Sequence, residues 1–72
     1  MKIIYISSTG ELRLATTRDT IRDTVSGETM VESDNVTRLP AGSGWQIKGG
    51  KLVPYSLASG SPVDDNGSAV TL

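Results

Sequence analysis

Apolar and polar residues alternate clearly in two stretches of this chain and lose the pattern elsewhere. The first stretch is residues 3–17. Ile3-Ile4-Tyr5-Ile6 is β-prone, and Leu12-Arg13-Leu14 sets aliphatic against charged, the period-two signature of a half-buried strand. Ser8-Thr9-Gly10 lies between them. A two-residue loop would oppose Ile6 to Arg13 and mix the faces. A three-residue loop opposes Ile6 to Leu12 and Ile4 to Leu14, gathering four aliphatic side chains on one face. It also sets Tyr5 beside Arg13 as a stacking pair and leaves Gly10 where a positive φ is needed. The pattern predicts that hairpin.

The second stretch is residues 45–55. Gly49-Gly50 is a two-residue turn of the primed kind. It pairs Lys48 with Lys51, Ile47 with Leu52, Gln46 with Val53 and Trp45 with Pro54. Trp45, Ile47, Leu52 and Pro54 then share an apolar face. Gln46, Lys48, Lys51, Val53 and Tyr55 share the other. Pro54 has no N–H to give a ladder, which places this strand at an edge or ends it.

The rest of the chain is less regular. Residues 18–25 hold a small tandem, Arg18-Asp19-Thr20-Ile21 followed by Arg22-Asp23-Thr24-Val25. A helix capped by Thr17 and stopped by Gly27 competes with a strand, and the β-branched content favours the strand. Ser26-Gly27-Glu28 reads as a turn, residues 29–32 as a short strand, Ser33-Asp34-Asn35 as a turn, and residues 36–39 as a strand ended by Pro40. Ala41-Gly42-Ser43-Gly44 is a flexible connection.

Beyond Tyr55 only Leu57, Val63, Val70 and Leu72 are large and apolar. The expected layout is a small β domain over residues 1–57 and an extended arm over 58–72. The arm carries a short strand at 69–72 and is ordered by a partner. The predicted fold class is all-β: a small antiparallel sheet or open barrel of about five short strands, with two hairpins and that C-terminal arm.

Composition sharpens this picture. Among 72 residues, 36% are hydrophobic, with five Ile, six Leu, six Val, two Met, two Tyr, one Trp and no Phe. Ordering a chain costs on the order of 1.5 kcal/mol per residue, and so thin a core offsets it poorly. Cys and His are both absent. Disulfides are closed to this sequence, and a structural zinc site is nearly so. Oligomerisation or docking on a larger partner is the expected supplement. Net charge is −1, and the seven Lys and Arg are interleaved with eight acids. No basic run tracks a phosphate backbone, which disfavours nucleic acid. The first residues lack the apolar core of a signal peptide, and no segment reaches the ~20 apolar residues of a membrane span. A soluble product of cytosolic synthesis is expected.

The short motifs carry little chemistry. Asp64-Asp65-Asn66-Gly67 resembles a fragment of a calcium loop, but such a loop needs a closing glutamate and none follows in this sequence, so it reads as a turn. Asn35-Val36-Thr37 and Asn66-Gly67-Ser68 match the glycosylation pattern without a secretory signal. Gly42-Ser43-Gly44 and Gly49-Gly50 are too sparse for a phosphate cradle, because Ile47 stands where a third glycine is needed. The serines have no histidine partner, and Lys48 and Lys51 flank a turn where solvent keeps them poor bases. Asp19 and Asp23 are expected to neutralise Arg18 and Arg22 rather than to act as an acid pair.

No catalytic, cofactor or metal residue is expected. The anticipated role is a non-enzymatic structural subunit of a larger assembly, joined to a protein partner or to itself by strand addition. A capsid decoration or tail-associated accessory of a viral particle has this size and texture. Its interface candidates are Trp45, Pro54, Tyr55, Leu57, Val63, Val70 and Leu72. Trp45 doubles as the natural cap of its own hairpin. Two other classes compete: a small β-barrel binding nucleic acid through Tyr5, Arg13, Trp45, Lys48, Lys51 and Tyr55, and a small inhibitor of a host protein.

Overall fold

The computed structural model describes residues 1–40, 44–55, 63 and 68–72. Among these residues, five short strands form two antiparallel sheets, and neither closes into a barrel. They are β1 (Lys2–Ile6), β2 (Leu12–Thr16), β3 (Glu28–Glu32), β4 (Trp45–Lys48) and β5 (Lys51–Pro54). The first sheet has the order β2-β1-β3 and the second is the β4-β5 hairpin. The described residues contain no helix long and apolar enough to cross a membrane.

The β4-β5 hairpin has the register that its turn dictates: Trp45 opposite Pro54, Gln46 opposite Val53, Ile47 opposite Leu52 and Lys48 opposite Lys51. Gly49 and Gly50 both take positive φ, 60° and 75°, as a type I′ turn requires. Trp45 and Leu52 are buried, whereas both lysines are exposed.

The first hairpin departs from its expected register. Ile4 faces Leu14, but Tyr5 rather than Ile6 faces Leu12, and the ladder slips between Ile4 and Tyr5. Arg13 is the extra residue of a β-bulge, so the expected Tyr5–Arg13 pair does not form. The reason is burial on both sides of β1. Ile3 and Ile4 point to opposite faces, and each is 0% exposed. The bulge sends Leu12 to the Ile3 face and Leu14 to the Ile4 face, giving each a leucine. Leu12 packs towards the second core, where Val36, Trp45, Leu52 and Val70 cluster with Met1, Leu39, Ile47 and Leu72 against them.

Residues 18–25 are neither helix nor paired strand. Both β2 and β3 run antiparallel to β1 on its two sides, so they are parallel to each other. β2 ends beside Lys2, while β3 starts beside Ile6. The connection must return along β1, about 13 Å at ~3.3 Å per residue, and both edges of β1 are occupied. It therefore crosses the Ile4 face as a strap with no strand to pair with. The expected strand at 36–39 is also absent; that segment is a bend that buries Val36.

The two sheets meet where Gly10 and Glu11 touch β4. Glu11 bridges Gln46, and the Ile47 N–H donates to the Gly10 carbonyl at 2.7 Å. Gly10 has φ +80°, and a Cβ there would run into the Ile47 carbonyl oxygen. Glycine is thus required twice over at this position, by conformation and by space.

At the far end, Ala69 makes an isolated bridge with Val63, and residues 70–72 are not strand. Most of the anticipated arm lies outside the described residues. Its last members do not hang free: Val70 is 5% exposed and Leu72 packs on the second core.

Candidate functional site

The Ile4 face of the first sheet, its strap and the free edge of β3 form the most distinctive surface. The strap is pinned at both ends. The Lys2 ammonium donates to the Asp19 carbonyl. Further on, Arg22 grips Glu28 with both terminal guanidinium nitrogens, at 2.8 and 2.9 Å, and the Val25 N–H donates to the same carboxylate at 3.0 Å. These bonds hold the Glu28 carboxyl at a pKa of about 2 rather than its ordinary 4.5, with Arg22 the leading cause and the Val25 amide the second. The expectation that Asp19 and Asp23 would neutralise the arginines is corrected here: Arg22 takes Glu28, and Asp23 offers it only a backbone carbonyl.

Two hollows flank the strap. One of about 530 Å³ is lined by Leu14, Ala15, Thr16 and the strap residues Arg18, Thr20, Ile21 and Arg22. The other, about 210 Å³, lies between Ile21, Arg22, Asp23, Thr24 and Met30. Met30 and the neighbouring strap end at Val25 are 45% and 64% exposed.

β3 has no ladder partner on its outer side among the described residues. Hydrogen-bond parity shows which groups it leaves open. Met1 and Ser33 exchange both bonds, the Met1 amino group to the Ser33 carbonyl at 2.7 Å and the Ser33 N–H to the Met1 carbonyl at 3.0 Å. Ser7 donates to Gly27 at 2.8 Å. Alternation between those ends makes Ile3–Val31 and Tyr5–Thr29 the bonded pairs. The N–H and C=O groups of Glu28, Met30 and Glu32 therefore point outward. The Glu28 N–H is taken by the Val25 carbonyl at 3.1 Å. Met30, at the centre, offers both of its groups.

The anticipated interface residues scatter over the molecule. Trp45 and Val70 lie in the second core, Leu72 is half-buried against it and Pro54 is half-buried on β5. Tyr55 and Val63 are 50% and 47% exposed. Leu57 lies outside the described residues. With Trp45 at 8% exposure, its ring is not on offer for stacking on a base. Its indole N–H is buried without an acceptor among the described residues. The Asp64-Asp65-Asn66-Gly67 turn also lies outside them, and the described residues hold no group of three potential metal ligands. The β3 edge was legible as a strand over 29–32. Its openness was not, because strand order leaves no mark on a local pattern.

No family model, curated protein or solved structure matches this chain.

Proposed function

We propose that this protein is a non-enzymatic interaction subunit that joins a larger assembly by accepting a strand at the edge of β3. The carrying observation is the outward row of backbone groups at Glu28, Met30 and Glu32 beside a half-exposed Met30. An unpaired edge of this kind is a template for another chain. Three features support its use as a docking edge. The strap is clamped close beside it by Arg22 and Glu28, so the surface is shaped in advance and little ordering is left to binding. Val25 and Met30 add apolar area next to the open backbone. Among the described residues nothing takes the backbone N–H or C=O of Met30, the central residue of the edge.

Met30→Pro tests the reading. The Met30 N–H points away from β1, so proline costs the native sheet no ladder bond while removing the central donor offered to a partner. In an extract of the native source, the wild-type chain is expected to co-fractionate with a large complex, and Met30→Pro to run as a free 7.6 kDa chain. Equal co-fractionation of the two, or a wild-type chain that runs free, overturns the reading.

A further inference from the structure

The notch between the strap and Met30 specifies what kind of strand the β3 edge takes, an inference that rests on the docking role proposed above. At about 210 Å³ it falls below the roughly 300–1,000 Å³ of small-molecule pockets and suits one long side chain. Beside Thr24, its walls are of two kinds. Ile21 and Met30 are aliphatic and would flank an alkyl stem. Arg22 and Asp23 are charged, but Arg22 is already neutralised by its two-pronged bond to Glu28. Asp23 is exposed, and its carboxylate has no hydrogen-bond or ion-pair partner among the described residues. The unspent charge at the notch is therefore negative. Glu32 adds a second exposed carboxylate at the far end of the edge.

The same charges bear on whether β3 can pair with a second copy of itself. A two-fold antiparallel pairing centred on Met30 would lay Glu28–Glu32 of one copy along Glu28–Glu32 of the other, and this strand carries no lysine or arginine to meet Asp23. A second copy of β3 therefore leaves the charge at the notch unanswered, whereas a strand bearing a cation answers it.

We infer that the strand accepted at β3 belongs to a different protein and carries a lysine or arginine that enters the notch, its stem along Ile21 and Met30 and its charge on Asp23. The backbone bonds at Met30 supply strand addition of any sequence, and the notch supplies the choice among sequences.

The test uses the full chain, isotopically labelled, and three capped nine-residue peptides of alternating threonine and valine. Their central residue is arginine, norleucine or glutamate. Amide shifts of residues 28–32 report docking at the edge. The arginine peptide is expected to shift Met30 and Glu32 and to bind about five- to tenfold more tightly than the norleucine peptide, as one surface charge-assisted bond allows. The glutamate peptide should bind weakest. Asp23→Asn should bring the arginine peptide down to the norleucine affinity while leaving the norleucine value unchanged.

Equal binding of all three peptides, or an arginine preference that survives Asp23→Asn, overturns the cation inference and leaves strand docking standing. No shift at residues 28–32 with any peptide overturns the docking edge as well. Shifts there on concentrating the chain alone, without peptide, identify a second copy as the occupant and overturn the choice of a different protein.

Discussion

The two hairpins start from the same alternation of apolar and polar residues and arrive at their registers by different routes. In β4-β5 the turn decides. Gly49 and Gly50 take the two left-handed conformations that a two-residue loop demands, and every pair from Lys48–Lys51 to Trp45–Pro54 follows from them. In β1-β2 the core decides. The loop tolerates more than one pairing, and two buried isoleucines on opposite faces of β1 recruit one leucine each through a bulge at Arg13. A tight turn makes register a local property. A looser loop hands it to the tertiary structure.

The largest test of that contrast is a matched pair of deletions. Removing Val53 from β5 moves Pro54 and Tyr55 to opposite faces, because side chains alternate with period two. It is expected to abolish the cooperative unfolding transition in urea. Removing Arg13 from β2 is expected to cost no more than about 1 kcal/mol. Tyr5 still faces Leu12 and Ile4 still faces Leu14; only the extra residue is lost. Loss of folding in the Arg13 deletion would show that the bulge itself, with the bend it adds, holds the two sheets together.

A pair of glycine substitutions comes next. Gly49→Ala meets open space and should cost about 1–2 kcal/mol for the left-handed conformation alone. Gly10→Ala bears the same conformational cost plus a collision with the Ile47 backbone. It should destabilise clearly more and break the amide bond from Ile47 to Gly10, read as faster hydrogen exchange at Ile47. Equal losses in the two variants would mean that the contact between the sheets contributes nothing.

The smallest expected effect concerns acid. Glu28 has a folded pKa of about 2 against an ordinary 4.5. A carboxyl with a depressed folded pKa stabilises above its unfolded value and loses that contribution as pH falls. The strap should therefore stay docked down to about pH 4.5 and loosen between there and about pH 2, with exchange rising at Val25. The turn at Gly49 and Gly50 should not change over this window. Glu28→Gln should show weakened protection at neutral pH and no further loss over the acid range. A wild-type strap indifferent to acid would mean that the Arg22–Glu28 clasp does not hold it.

How much of this was readable in advance depended on where the deciding force lies. The β4-β5 register, the positive φ at Gly10, the strand around Met30 and the turn at Asp34 and Asn35 are written in local chemistry. The bulge is not, because Leu12 and Leu14 look identical to a pattern that assumes a single buried face. The strap is not either. Thr20, Ile21, Thr24 and Val25 carry good strand propensity, but propensity cannot supply a vacant edge, and β1 has none. Val36 is buried by a bend, which has no periodicity to detect. For the candidate site, an apolar residue late in the chain looks the same in sequence whether it faces a partner or the interior, and Trp45, Val70 and Leu72 belong to the chain's own second core. The open edge depends on β3 lying outermost and on the parity of its bonds, both products of the assembled sheet.

The strap lies over one face of the first sheet only. A strand added at β3 would present every second side chain to Ile21, Asp23 and Met30, while the intervening ones turn to the side where no strap waits. Half of such a ligand's positions would never meet the strap and would be exempt from its demands. Its hallmark would be the spacing of a few residues rather than any continuous string. A search for interactors by overall sequence identity would pass over them, whereas a search for a lone cation set among β-branched neighbours would not.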